Sequence, residues 1–90
     1  MKVRVLVRLK PGILDVQGAA VQRALAGLGF GDVRGLRVGK LIEVEVAASD
    51  PAQARARVDE MCRRLLANTI LEDYTIEAEG ERLAPPGAVR

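Results

Sequence analysis

The chain has 90 residues, 49% of them hydrophobic, with 14 basic and 12 acidic side chains, no histidine, no tryptophan and one cysteine. The lack of histidine excludes His-based triads and the commonest metal ligand, and a lone cysteine excludes both an internal disulfide and a cysteine-pair zinc site. The near balance of charge leaves no strong field for a phosphate backbone, and a chain of this length forms one domain that buries only about 60 to 65% of its unfolded surface.

The first predicted element is a strand. Val3, Val5, Val7 and Leu9 alternate with Lys2, Arg4, Leu6 and Arg8, the period of two that marks one buried face. Pro11-Gly12 then supplies a turn, because proline presets φ and glycine accepts positive φ. Asp15 follows as a helix N-cap. From there Val16, Ala20, Val21, Ala24, Leu25 and Leu28 recur at helical spacing. The helix is expected to end at Leu28, with Gly29 in the left-handed position after it and Phe30 packing back. Gly18 and Gly27 cost helix propensity, which points to close packing against a neighbour or to a frayed end.

Two strands, 33–38 and 41–48, are predicted next, joined as a hairpin around Gly39-Lys40. In the second, Ile42, Val44 and Val46 face one way and Glu43 and Glu45 the other. Asp50, Pro51 and Gln53 then form a capping box for a second helix. Its apolar stripe is Ala54, Val58, Met61, Cys62 and Leu65, and Asn68 is the expected left-handed stop. In the last strand Ile70, Glu72, Tyr74, Ile76 and Ala78 share one face, and Leu71, Asp73, Thr75, Glu77 and Glu79 the other. The single domain is assigned to residues 1–80, and 81–90, with Pro85-Pro86-Gly87, to a loose tail.

Strand, helix, strand, strand, helix, strand gives an α+β fold of the βαββαβ, ferredoxin-like (split βαβ) type, an antiparallel sheet with two helices on one face. Charge supports the strand order. The first strand would lie between the third and fourth, so that Arg4 and Arg8 are flanked by Glu43 and Glu45 on one side and Glu77 and Glu79 on the other. Opposite charges across strands contribute roughly 0.2 to 1 kcal/mol per pair, whereas adjacent acidic strands would repel.

No catalytic constellation emerges. The pairs Glu43/Glu45 and Glu77/Glu79 read as a solvated strand face and not as an acid-base set. Cys62 falls on the apolar face of a helix and reads as a small core residue. An RNA-recognition module would need aromatics on the open sheet face, but Tyr74 is expected on the buried face and Phe30 in a loop. No signal pattern and no apolar run of membrane-spanning length is present, so a soluble, cytoplasmic chain without nucleic-acid or membrane partners is expected. A small domain with an exposed sheet face gains by association, so a homo-oligomer is expected as well. Arginine greatly outnumbers lysine and Asn68 is the only asparagine, a composition that points to a thermophile or a GC-rich genome.

The run Lys10-Pro11-Gly12-Ile13-Leu14-Asp15-Val16-Gln17-Gly18, followed by Ala24-Leu25 and Leu28-Gly29-Phe30, resembles the PurS family. Val33, then Arg37-Val38-Gly39-Lys40, and later Met61 to Asn68 with Glu72-Asp73-Tyr74, continue the likeness in the same order. Val16 and Thr69 stand where that family usually carries proline. Family members are small subunits of phosphoribosylformylglycinamidine synthase, the amidotransferase of de novo purine (IMP) biosynthesis. The resemblance implies a non-catalytic subunit, a homodimer or homotetramer, bridging a glutaminase (PurQ) and a large ATP-dependent synthetase (PurL).

It also implies that no cofactor is bound by this chain, and that ATP and Mg belong to the large subunit. By position, Lys10, Pro11, Gly12 and Asp15 at the joint and Arg37, Gly39 and Lys40 in the hairpin are the residues expected to touch a partner. An alternative is an ACT-like amino-acid-binding regulatory module, whose first strand also runs into a Pro-Gly-Ile/Val-Leu loop and helix, as at Pro11-Gly12-Ile13-Leu14. Gln17-Gly18 and the segment from Met61 to Asn68 argue against it, and the chain has no enzyme domain to regulate.

Overall fold

The computed structural model describes residues 1–79; the tail expected over 81–90 lies outside the described residues. The elements are β1 (Lys2–Leu9), α1 (Val16–Gly27), β2 (Lys40–Glu45), α2 (Pro51–Met61), a π-helical turn (Cys62–Leu66) and β3 (Glu72–Ala78). Both neighbours of β1 run antiparallel to it, in the order β2-β1-β3.

Alternation in β1 decides where the core sits. Val3, Val5 and Val7 are almost completely buried, and each contributes on the order of 1.5 to 3 kcal/mol by leaving water. The register places Val44 and Ile42 beside Val3 and Val5 on one side, with Ala78, Ile76 and Tyr74 beside Val3, Val5 and Val7 on the other. On this apolar face α2 lies with Ala54 and Val58, continued by Cys62, all fully buried.

The opposite face carries the charges in the arrangement the sequence predicts. Arg4 is paired in register with Glu43 and Glu77, Lys2 with Glu45 and Arg8 with Asp73. The Arg4 guanidinium lies 3.3 Å from the Glu77 carboxylate. The basic strand is therefore central and the acidic strands are kept apart.

The α+β, βαββαβ ferredoxin-like pattern holds, with one strand fewer among the described residues. The expected strand over 33–38 is not formed, because its backbone groups are engaged elsewhere. The Val33 carbonyl accepts a bond from Gln22 Nε2 (3.1 Å) and the Val38 N–H donates to Asp15 Oδ2 (2.8 Å). Gly35 in its middle supplies no side chain to hold a ladder. The following strand ends at Glu45 and not at Ala48, since β1 runs out of residues to pair with. The last link is made by Met1, whose ammonium donates to the Val46 carbonyl (2.7 Å) while its own carbonyl accepts from Val46 N–H (2.9 Å).

Local sequence sets the helix ends. Asp15 accepts the N–H of Gly18, and Asp50 accepts that of Gln53, both at 2.8 Å. Gln53 returns a bond by accepting from the N–H and hydroxyl of Ser49, each at 2.9 Å. After Leu28, Gly29 takes φ of 102°, with Gly29 N–H donating to the Ala26 carbonyl and Phe30 N–H to that of Leu25. This is the Schellman closure that positive φ makes possible.

The far end of α2 departs from expectation. The Ala67 N–H donates to the Cys62 carbonyl (3.0 Å), an i→i−5 bond that widens the last turn. Leu65, predicted on the buried stripe, is swung outward and is 84% exposed, while Ala67 enters the core. Among the described residues no non-glycine residue has positive φ, so Asn68 is not a left-handed stop. Its side chain instead accepts from Ile70 N–H (3.1 Å), and its carbonyl from the N–H groups of Leu71 and Glu72. That turn puts Ile70, expected on the buried face of the strand, in solvent.

Candidate functional site

The expected partner-contact residues fall in two segments, and the structure brings these segments together. The first begins where β1 ends. Lys10 and Ile13 close a turn, with Ile13 N–H donating to the Lys10 carbonyl (3.1 Å) and Gly12 at φ of 88°. Proline second and a positive-φ glycine third are what a type II turn requires. Pro11 and Gly12 are exposed at its apex.

Asp15 follows the turn and is only 9% exposed, although the sequence grouped it with the residues expected to touch a partner. The reason is that both carboxylate oxygens have work inside the fold. Oδ1 accepts from Gly18 N–H and Oδ2 from Val38 N–H, each at 2.8 Å, and Arg37 Nε lies 3.9 Å from Oδ2. The N–H groups of Gly18 and then Val38 hold this carboxyl below the usual carboxylate range, Arg37 adds to them, and burial opposes them.

The second segment closes over the first. Arg37 Nη2 donates to the carbonyls of Leu9 (3.1 Å) and Lys10 (3.3 Å). Gly39 passes so close to β1 that a Cβ there would lie 2.6 Å from the Val7 carbonyl oxygen. Lys40 Nζ lies 3.6 Å from Glu72 across the sheet. Lys10, Pro11, Gly12, Arg37, Gly39 and Lys40 therefore share one end of the sheet, with Asp15 behind them.

Sequence reasoning passed over one member of this cluster. Gly18 is buried in the first turn of α1, and a Cβ there would collide with the Asp15 carboxylate and lie 3.0 Å from the Leu36 carbonyl oxygen. Its signal was the helix-interior glycine, which marks a close approach; the identity of the neighbour was not legible.

Beyond this cluster α1 buries little. Gly18 is its only buried residue, and Val16 and Val21 within it, with Leu14 before it and Leu28 and Phe30 after it, are exposed. Such a surface binds other proteins more readily than it performs chemistry.

The remaining reactive groups are engaged or buried. Cys62 is fully buried, and that burial pushes its thiol pKa up, away from the reactive thiolate. The Tyr74 hydroxyl donates to Asp59 Oδ1 at 2.6 Å, tying β3 to α2. Among the described residues no group of three or more acidic or cysteine side chains is placed to hold a metal, and no helix is long and apolar enough to cross a membrane.

Residues 2–80 match the family described as PurS: phosphoribosylformylglycinamidine (FGAM) synthase. The chain is 46% identical over 78 residues to the phosphoribosylformylglycinamidine synthase subunit PurS of Bacillus subtilis (strain 168), which spans 87% of this chain and 92% of that protein. The C2 crystal form of B. subtilis PurS superposes with a TM-score of 0.75 at 46% identity, over 84% of this chain and 94% of that one. A chain in the structure of PurLQS from Thermotoga maritima superposes with a TM-score of 0.78 at 30% identity, over 86% and 94%. A central basic strand, a clamped strand-to-helix joint and this likeness over nearly the full length lead to one conclusion: the chain belongs to the PurS family of phosphoribosylformylglycinamidine synthase subunits.

Proposed function

We propose that this chain is the bridging subunit of a three-chain phosphoribosylformylglycinamidine synthase in purine biosynthesis. It holds a glutaminase subunit (PurQ) and an ATP-dependent synthetase subunit (PurL) together while ammonia passes to formylglycinamide ribonucleotide. The observation that carries this reading is the likeness over 86% of the chain to a chain of the T. maritima PurLQS structure. The amino-acid-binding alternative has no comparable support.

The chain's contribution is geometric. Ammonia released into water at neutral pH becomes ammonium and loses its nucleophilic lone pair, so yield depends on holding the releasing and consuming sites together and shielded. ATP and Mg act on the large subunit. The chain itself works as a homodimer or homotetramer, and the exposed apolar side chains around α1 suit it to more than one protein contact. Its partner-facing end comprises Lys10, Pro11, Gly12, Arg37, Gly39 and Lys40, with Asp15 supporting them from within.

The test is synthesis of formylglycinamidine ribonucleotide by purified partner subunits with and without this chain. Glutamine-fed synthesis should require it, and ammonia-fed synthesis should need it far less. Full glutamine-fed activity in its absence would rule the bridging role out. For the interface, Lys40→Glu is expected to reduce capture of the synthetase; undiminished capture would remove Lys40 from the contact.

A further inference from the structure

At the end of α2 two N–H groups lie within reach of one carbonyl. The helix is regular through Met61, and Ala54, Val58 and Cys62 meet the core at a spacing of four. Continued in the same way, it would put the Leu66 N–H on the Cys62 carbonyl and Leu65 beside Cys62 on the buried stripe. Instead the Cys62 carbonyl accepts the N–H of Ala67 (3.0 Å), Leu65 is 84% exposed and Ala67 only 7%. A leucine left in water forgoes the burial that its place in the stripe offers. The wider turn must therefore be held from outside the helix.

The chain reversal that follows supplies the hold, and Glu72 is at its centre. Its Oε1 accepts from Asn68 N–H (2.7 Å), its own N–H donates to the Asn68 carbonyl (2.7 Å), and its Oε2 lies 3.6 Å from Lys40 Nζ on β2. The Leu71 carbonyl accepts from Lys10 N–H (2.9 Å), which anchors the reversal to the end of β1. With Asn68 fixed in this way, its neighbour Ala67 is kept on the Cys62 carbonyl. We propose that Glu72 latches an element with two registers. With the latch closed, the end of α2 keeps the widened turn and leaves Leu65 outside. With it open, the turn tightens to i→i−4, Leu65 folds in towards Val58, and Ala67 passes into the loop. A groove of about 370 Å³ beside Met61, Leu65 and Leu66 gives room for the movement, and packed elements switch between discrete arrangements of this kind. Lys40 on β2 and Leu65 beyond α2 thus answer to one carboxylate.

The test uses the full chain, read by amide hydrogen exchange and by nuclear Overhauser contacts between methyl groups. In the wild type the Ala67 amide should be protected, and the Leu65 methyls should show no contact to Val58. Glu72→Ala removes both arms of the latch. Exchange at Ala67 should then accelerate at least tenfold, and Leu65 should gain contacts to Val58. The Leu66 amide lies within the π-helical turn and is bonded in either register, so it should stay protected. Adding Leu65→Ala removes the side chain that gains from the tight register. Protection should return to Ala67, and if it does not, the proposal fails.

Lys40→Ala removes only the ion pair, and should speed exchange at Ala67 by less than about fivefold. Glu72→Gln keeps an acceptor for Asn68 and should match it. Simple fraying of the helix end predicts instead that Glu72→Ala exposes the Leu66 and Ala67 amides together and brings Leu65 no new contact. That result overturns the proposal, as does an Ala67 amide that stays protected. If Glu72→Ala does not fold, Lys40→Ala and Glu72→Gln decide by the same criterion. Faster exchange at Ala67 alone supports the latch, and faster exchange at both amides or at neither rejects it.

Discussion

The half of the molecule built from the sheet and α2 and the arm built from Asp15, α1 and residues 28–39 are held by different forces. In the first, Val3, Val5, Val7, Ala54, Val58 and Cys62 share one dry interior. In the second, the buried groups are a carboxylate and a glycine, and what fixes them is a set of hydrogen bonds. Apolar burial holds the first without help from another molecule, because dispersion and dehydration act over the whole contact. The arm shows large apolar side chains to solvent. Stability and association should therefore respond to different substitutions.

The largest expected effect lies in the core. Val58→Asp would place an unpaired carboxylate among Val3, Val5 and Val7, at about 3 kcal/mol or more, and should abolish the cooperative urea transition seen by circular dichroism. Val58→Ala leaves a cavity and should cost about 2 kcal/mol. Either variant unfolding like the wild type would break the distinction between the halves.

On the arm, Val16→Asp should do the reverse. A carboxylate in the first turn suits the helix dipole, so the unfolding free energy should stay within about 0.5 kcal/mol. Capture of partner subunits should weaken about tenfold, or about 1.4 kcal/mol. Loss of stability with unchanged capture would place Val16 on the wrong side of the comparison.

Tyr74→Phe removes the hydroxyl that ties β3 to α2 through Asp59. With Asp59 half exposed and Arg63 still 2.9 Å away, the cost should be about 1 kcal/mol. Acid sharpens this result. Tyr74 first, and Arg63 after it, hold the Asp59 carboxyl below its ordinary 3.8, as Gly18 and Val38 hold that of Asp15. A carboxylate whose pKa falls on folding contributes in full above the unfolded value and loses its contribution as pH drops through the lower folded value. Wild-type stability should therefore decline below about pH 4, and Tyr74→Phe should flatten that decline by removing the main cause at Asp59. An equal acid slope in the two proteins, from unfolding curves at stepped pH, would detach Tyr74 from the titration. The smallest effect belongs to Arg64→Ala at the exposed Glu60–Arg64 pair, at less than about 0.5 kcal/mol.

The sequence was most legible where a single local interaction decides the outcome. Alternating valines made β1 recognisable, Asp15 and Asp50 marked the helix starts, and Gly29 marked a stop. Charge on Arg4, Glu43 and Glu77 was enough to order the strands. It was least legible where a backbone group chooses between partners far apart in the chain. Residues 33–38 alternate well enough to suggest a strand, but Asp15 and Gln22 take two of their backbone groups. Leu65 has helical spacing, but one i→i−5 bond turns it outward. For the candidate site, the residue types were readable and their division of labour was not: Asp15 was expected to face a partner and instead faces Gly18 and Val38.

Sequence by itself determined the pattern of elements, the identity of the central strand, the aliphatic core and the membership in the PurS family, because these follow from periodicity, capping chemistry, charge pairing and motif order along the chain. Only the tertiary structure decided that the strand-to-helix joint and residues 36–39 are clamped together and that α1 stands outside the core. Those outcomes depend on which distant carbonyl or N–H a side chain reaches, and that competition is resolved only when the chain has folded.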